Sequence, residues 1–239
     1  MAQWRGFDRI DFTLNGHECI LVCPECPAEG RPWVWRAEFF GAFAQADEAM
    51  LHEGYHLAYI RLSDRYGCPG AVREMEAFRA HLAEVYRLSR RAQLFGFSRG
   101  GLYAVNYALT YPEGVEKLYL DAPVLDVRSW PAGWGEGRGA AREWEECKAC
   151  YDLSEESART FRRNPLDRAE ELACRSIPVM IVAGDADDVV PIEENTLPFA
   201  ERFRAAGGRL RLIVKEGCGH HPHSLEDPAP IVEFLTKES

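Results

Sequence analysis

The chain has 239 residues, 46% of them hydrophobic, enough to bury a full core at a length where α/β folds are commonly one domain. Its formal net charge is −10 and it has no Lys/Arg-rich block, which excludes a phosphate-tracking stripe and makes nucleic acid an unexpected partner. No apolar run approaches the roughly 18 residues a membrane span needs, so no membrane partner is expected either.

In chain order, Met1 to Gly6 show neither the basic start nor the apolar core of a leader, and the expected location is cytoplasmic. Strand patterns at 7–14 and 18–23, joined around Asn15-Gly16, read as an antiparallel hairpin at a sheet edge. Residues 23–35 then carry three prolines, Pro24, Pro27 and Pro32, followed by Trp33 and Trp35, and 39–53 has helical spacing. Strands at 56–62, 92–97 and 115–120 alternate with helices at 71–88 and 101–111. The rhythm breaks from 122 to 176, where a glycine-rich run at 130–139 precedes short helical patterns at 142–151 and 155–163. Because it follows the carboxyl end of a strand, this insertion is expected to form a lid. Strand 179–183, helix 193–206, strand 210–214 and helix 229–237 complete the chain. Such alternation predicts a mostly parallel sheet covered by helices on both faces, within one domain.

Eight cysteines scattered through a chain of this size read as reduced thiols. Two C-x-x-C pairs, Cys23/Cys26 and Cys147/Cys150, fall at a strand end and inside a helical pattern, and no metal site is expected from them. The run His220-His221-Pro222-His223 likewise lacks a separated carboxylate or thiolate pattern specific for a metal.

The chemistry-bearing string is Gly96-Phe97-Ser98-Arg99-Gly100-Gly101, directly after a strand and before a helix. In that context Gly-x-Ser-x-Gly marks a nucleophilic serine on a strained turn, with flanking glycines admitting close backbone. A serine at its own pKa needs a base within hydrogen-bond reach and a carboxylate to orient that base. The chain offers Asp185, Asp187 and Asp188 after strand 179–183, and His220, His221 and His223 after strand 210–214. His220 follows Gly217 and Gly219, small residues that let a tight loop lower the imidazole toward Ser98. Asp121, at the end of strand 115–120, competes for the role of the acid.

The elbow, the string Gly184-Asp185-Ala186-Asp187-Asp188-Val189-Val190-Pro191 and the string Gly217-Cys218-Gly219-His220 together resemble the α/β-hydrolase superfamily. The resemblance implies a Ser-His-Asp site of Ser98, Asp187 and His220 at the carboxyl edge of the sheet, with no cofactor. It also implies an oxyanion hole in which the Arg99 N–H is one donor. The other donor is expected from the loop after strand 18–23, with Trp33 as the candidate. A finer similarity to bacterial carbohydrate-associated serine esterases rests on Gly30 to Arg36, Asp121-Ala122-Pro123 and Gly219 to Ser224. It implies a small acyl or methyl ester of a sugar or oligosaccharide as substrate, with Trp35, Arg36, Trp130 and His221 as binding residues. Two alternatives stay open. The Gly-x-Ser-x-Gly-Gly elbow also resembles prolyl-oligopeptidase-type peptidases, and a non-catalytic ligand-binding protein can keep the fold.

Overall fold

The computed structural model describes residues 2–237. Nine strands form one sheet: β1 (Ala2–Trp4), β2 (Phe7–Leu14), β3 (His17–Cys23), β4 (Trp33–Arg36), β5 (His56–Ile60), β6 (Ala92–Phe97), β7 (Val115–Asp121), β8 (Val179–Gly184) and β9 (Leu210–Lys215). Their spatial order is β1-β2-β3-β5-β4-β6-β7-β8-β9. The first three strands pair antiparallel, and β4 to β9 run parallel. Asn15 and Gly16 both take positive φ, 50° and 82°, the tight-turn geometry that the Asn-Gly pair favours. The whole is a mostly parallel α/β-hydrolase-type sheet, open rather than closed into a barrel.

Among the described residues, eight α-helices accompany the sheet: α1 (Gln45–His52), α2 (Pro69–Val85), α3 (Gly100–Thr110), α4 (Ala141–Tyr151), α5 (Glu155–Arg159), α6 (Ala169–Ala173), α7 (Thr196–Ala205) and α8 (Ala229–Thr236). One face of the sheet is covered by α2, α3, α6 and α7 through residues such as Phe78, Tyr107, Leu172 and Phe203. The opposite face is covered by α1 and α8 through Met50, Leu51, Ile231 and Leu235. The central strands β5, β6 and β8 are buried at every position, so their sequences are apolar runs rather than alternations. Helix α1 carries the chain from β4 to β5 over one face, and α2 carries it back across β4 to β6 over the other. The order therefore reverses between β4 and β6, the switch point beyond whose carboxyl ends open α/β sheets bind ligands.

Strand β4 departs from the sequence reading, which left residues 23–35 as a loop. Trp33-Val34-Trp35-Arg36 is a fully buried four-residue strand in the middle of the sheet, paired with both β5 and β6. The helix expected over 39–53 is correspondingly short, beginning only at Gln45. Between β7 and β8, residues 122–178 hold α4, α5 and α6. They share an apolar cluster of Tyr66, Leu102, Val124, Trp144, Cys147 and Val190 with the start of α3 and the turn after β8.

Candidate active site

Ser98 stands between β6 and α3 with φ of 49°, a left-handed conformation that a side-chain-bearing residue adopts only under constraint. Its N–H donates to Asp121 O at 2.9 Å, and its carbonyl accepts from Gly101 and Val124 N–H, both at 2.9 Å. The flanking glycines are sterically required. A Cβ on Gly96 would lie 2.8 Å from Gly100 O, and one on Gly101 would lie 2.7 Å from Pro123 Cβ.

Three side chains far apart in sequence meet here. The Ser98 hydroxyl lies 2.9 Å from His220 Nε2, and His220 Nδ1 lies 2.7 Å from Asp187 Oδ2. Asp187 Oδ1 accepts from the N–H groups of Val189 and Val190 at 2.9 and 2.8 Å. Burial opposes ionisation of Asp187, but the His220 hydrogen bond and these two amides outweigh it and hold its carboxyl below the usual range. An ionised Asp187 accepts a hydrogen bond from His220 Nδ1–H, which leaves Nε2 free to accept from the serine.

The competing aspartates take other partners. Asp185 Oδ1 accepts from Gly217 N–H at 2.6 Å, tying the end of β8 to the loop that carries His220. That approach is close enough that a Cβ on Gly184 would lie 2.1 Å from Cys218 O. Asp188 forms an ion pair with Arg138 of the glycine-rich run. Asp121 is buried and held by Tyr119 Oη at 2.6 Å, Ser224 N–H at 2.9 Å and His223 Nδ1 at 2.8 Å.

The oxyanion expectation needs correction at Trp33. Strand β3 is antiparallel to β5, with Val22 opposite Leu57, so the loop after β3 emerges at the amino edge of the parallel strands, away from Ser98. Trp33 begins β4 at that edge, fully buried, and its indole N–H donates to Ser89 O at 2.8 Å. The segment that does reach Ser98 is residues 37–44, after β4, because β4 pairs with β6 and the Ala37 N–H donates to Phe95 O at 3.0 Å. Among the described residues neither Glu38 N–H nor Arg99 N–H has an acceptor, and Glu38 N lies 3.8 Å from where a Cβ on Gly100 would stand. The Glu38 carboxylate bonds Arg99 Nε at 2.8 Å and accepts from Ser63 Oγ at 3.1 Å. Burial pushes the Glu38 carboxyl up, and the Arg99 charge only partly offsets it. The Arg99 side chain is thus spent on an internal ion pair, reinforced by Asp64 at 3.0 Å. Sequence reading offered Glu38, with Arg36, only as a possible holder of a polar substrate; its backbone N–H as an oxyanion donor was missed, although Ala37-Glu38 directly after a strand beside the one that carries Ser98 is the signal that knowledge of β4 would have supplied.

Two expected substrate-binding residues are also structural. Trp35 is fully buried, packed on Trp33, Phe78 and Tyr107 with ring centroids 4.9–5.6 Å away. Arg36 is buried against Asp47 at 3.2 Å, donates to Phe39 O and Ala42 O, and sits 3.8 Å over the Phe97 ring. It therefore shapes the 37–44 loop from below and faces no substrate. Trp130 is half-buried near Tyr66, at 6.3 Å, in the β7–β8 segment. His221 is exposed, its ring stacked on Phe43 at 5.5 Å and 4.9 Å from that of His220. Donor atoms of His220, His221 and His223 lie within 4.8 Å of one another, but His220 and His223 each already bond a carboxylate through Nδ1.

An α/β-hydrolase family model matches residues 2–234. No curated protein matches the chain in sequence. Among solved structures, a puromycin hydrolase is 21% identical with a TM-score of 0.68, the match covering 90% of this chain and 36% of that one. A Mycobacterium tuberculosis puromycin-hydrolyzing peptidase is 15% identical with a TM-score of 0.71, covering 96% and 38%. An α/β-hydrolase enzyme from the metagenome of sediments from the lagoon of Mar Chica, Morocco, is 18% identical with a TM-score of 0.62, covering 95% and 97%. The chain spans little more than a third of the peptidases it resembles, and at these identities the likeness is one of fold. With sheet order, elbow and whole-length family match in agreement, the chain belongs to the α/β-hydrolase family.

Proposed function

We propose that the chain is a serine hydrolase that cleaves a carboxylic ester through an acyl-enzyme. The observation that carries this reading is the run of contacts from Ser98 Oγ to His220 Nε2 at 2.9 Å and from His220 Nδ1 to Asp187 Oδ2 at 2.7 Å. Ser98 Oγ attacks the acyl carbon while His220 Nε2 takes its proton. Asp187 holds the tautomer and stabilises the imidazolium, and the N–H groups of Arg99 and Glu38 receive the carbonyl oxygen as it gains charge. His220 then gives the proton to the leaving alcohol. A water, deprotonated by the same nitrogen, releases the acid and restores Ser98.

Trp35, expected as a binding residue for a sugar ester, is a core residue and gives no platform for substrate. His221 and Trp130 remain candidates for contact with substrate, and the β7–β8 segment remains the candidate lid. A second reading, hydrolysis of aminoacyl amides, is favoured by the peptidase likeness, since the same groups serve a leaving amine. A fluorophosphonate probe is expected to label Ser98 and to lose labelling in His220→Ala. Well-folded protein that does not label would overturn the hydrolase reading. Relative kcat/KM on p-nitrophenyl acyl esters and aminoacyl p-nitroanilides decides between ester and amide.

A further inference from the structure

A cavity of about 670 Å³ lies apart from Ser98 between the start of α2, the end of α3 and the α4–α5 region. Four arginines line it, Arg65, Arg73, Arg163 and Arg168, against a single carboxylate, Asp152. Arg168 is paired with Glu171 at 2.9 Å. Among the described residues Arg65, Arg73 and Arg163 have no carboxylate within salt-bridge distance, and neither does Asp152 have a basic partner. In a chain of net charge −10, three uncompensated guanidinium groups around one concavity are an uneven distribution.

Arg65 and Arg73 also converge. A Cβ on Gly70 would stand 2.8 Å from Arg65 Nη2 and 3.9 Å from Arg73 Nη2, so the missing side chain leaves room where the two forks meet. Gly70 lies in the first turn of the 17-residue helix α2, which has no acidic residue in that turn, so the positive end of the helix adds to the two side chains. Val72, Tyr111 and Phe161 supply apolar wall beside these charges. The volume falls within the range of small-molecule sites.

We propose that this cavity binds a small organic phosphate: a dianionic monoester held by Arg65, Arg73 and Arg163, with its apolar body against Val72, Tyr111 and Phe161. Planar guanidinium forks pair with carboxylate and phosphate oxygens alike, but three forks outnumber the two oxygens of a single carboxylate and suit the three oxygens and double charge of a phosphate monoester. One wall comes from α2 and α3 and the other from α4 and residues 152–163, so the ligand bridges the sheet-covering helices and the β7–β8 segment.

The test is calorimetric titration of the whole protein with phenyl phosphate at pH 7.5 in low salt. Saturable one-to-one binding is expected, retained in Ser98→Ala and after fluorophosphonate treatment, and weakened about tenfold or more in Arg65→Gln/Arg73→Gln. Inorganic phosphate, which lacks the apolar body, is expected to bind about tenfold more weakly. Should the double variant fail to fold, the exposed Arg163→Gln provides the same comparison, with a several-fold loss expected. Absence of saturable binding, affinity unchanged in the arginine variants, equal affinity for inorganic phosphate, or binding lost on blocking Ser98 would each overturn the proposal.

Discussion

Asp121 and His223 form a buried pair, His223 Nδ1 lying 2.8 Å from Asp121 Oδ1 three residues beyond His220. The same carboxylate receives Ser224 N–H, so it grips the histidine loop at two consecutive residues from the end of β7, which pairs with β6, the strand that leads into Ser98. The sequence offered Asp121 as a rival for the catalytic acid. In the fold it anchors the loop that hangs His220 over Ser98, while Asp187 contacts the imidazole.

Replacing Asp121 with Ala leaves His223, Ser224 N–H and Tyr119 Oη without a buried acceptor. At about 3 kcal/mol for breaking such a pair, the melting temperature is expected to fall by about 6–12 °C. Fluorophosphonate labelling of the surviving folded protein is expected to slow by roughly tenfold, because His220 loses its fixed position. Calorimetry and labelling kinetics on Asp121→Ala check both, and unchanged labelling would assign Asp121 to stability alone.

Asp187→Asn keeps the shape but can offer an amide N–H to His220 Nδ1, which selects the tautomer that cannot accept from Ser98. Turnover is expected to drop by about 10⁴-fold with little change in KM. Steady-state kinetics on a p-nitrophenyl ester measure this directly.

The lowered Asp187 carboxyl also sets an acid limit. A carboxyl that loses its proton more readily in the folded state than in the unfolded chain stabilises the fold above its ordinary pKa. That contribution disappears as pH falls through the depressed value. Wild-type stability is therefore expected to fall below about pH 4 more steeply than that of Asp187→Asn, as read by urea denaturation across pH.

Glu38 and Arg99 hold each other through side chains while their unbonded backbone N–H groups flank Ser98. Glu38→Gln preserves both N–H donors and removes only the charge that aligns them. A loss of about tenfold in kcat, with KM nearly constant, is the expected signature of a loosened oxyanion hole. An equal rise in KM would instead place Glu38 in substrate binding.

Trp35→Ala should act on stability, at about 3–5 kcal/mol for a buried aromatic, and leave KM unchanged. Among the described residues the indole N–H of Trp35 has no acceptor, so Trp35→Phe is expected to be much milder. Urea midpoints for the two variants separate a core residue from a sugar platform.

The elbow and the aspartate loop were legible because Gly96, Gly101 and Gly184 stand where backbone or packed side chains approach too closely for a Cβ, and the histidine loop because Gly217 takes the positive φ of 65° that its turn requires. The longer helices were legible too, the amphipathic α2 and the α3 buried at ten of its eleven positions, both displaced from their expected bounds by only a few residues. Strand β4 was not, since four residues of mixed aromatic and charged character behind Pro32 carry no period. Missing it misdirected the search for the second oxyanion donor. Which edge of a sheet a loop occupies depends on strand direction, and β3 runs against its neighbour β5. Trp35 and Arg36 looked like binding residues, and Trp33 like an oxyanion donor, for the same reason: burial by two flanking strands cannot be seen in a local window.

The glycine-rich run after β7 is fastened to the turn that carries Asp187. Arg138 N–H donates to Asp188 O at 2.9 Å, Arg138 and Asp188 also pair through their side chains, and Glu194 accepts from Ser129 Oγ and Glu136 N–H. Displacing this run therefore pulls on the residue beside the acid. A bulky ligand that pushes it aside would disturb the proton path before chemistry begins, so discrimination by size should appear as slow turnover rather than as weak affinity.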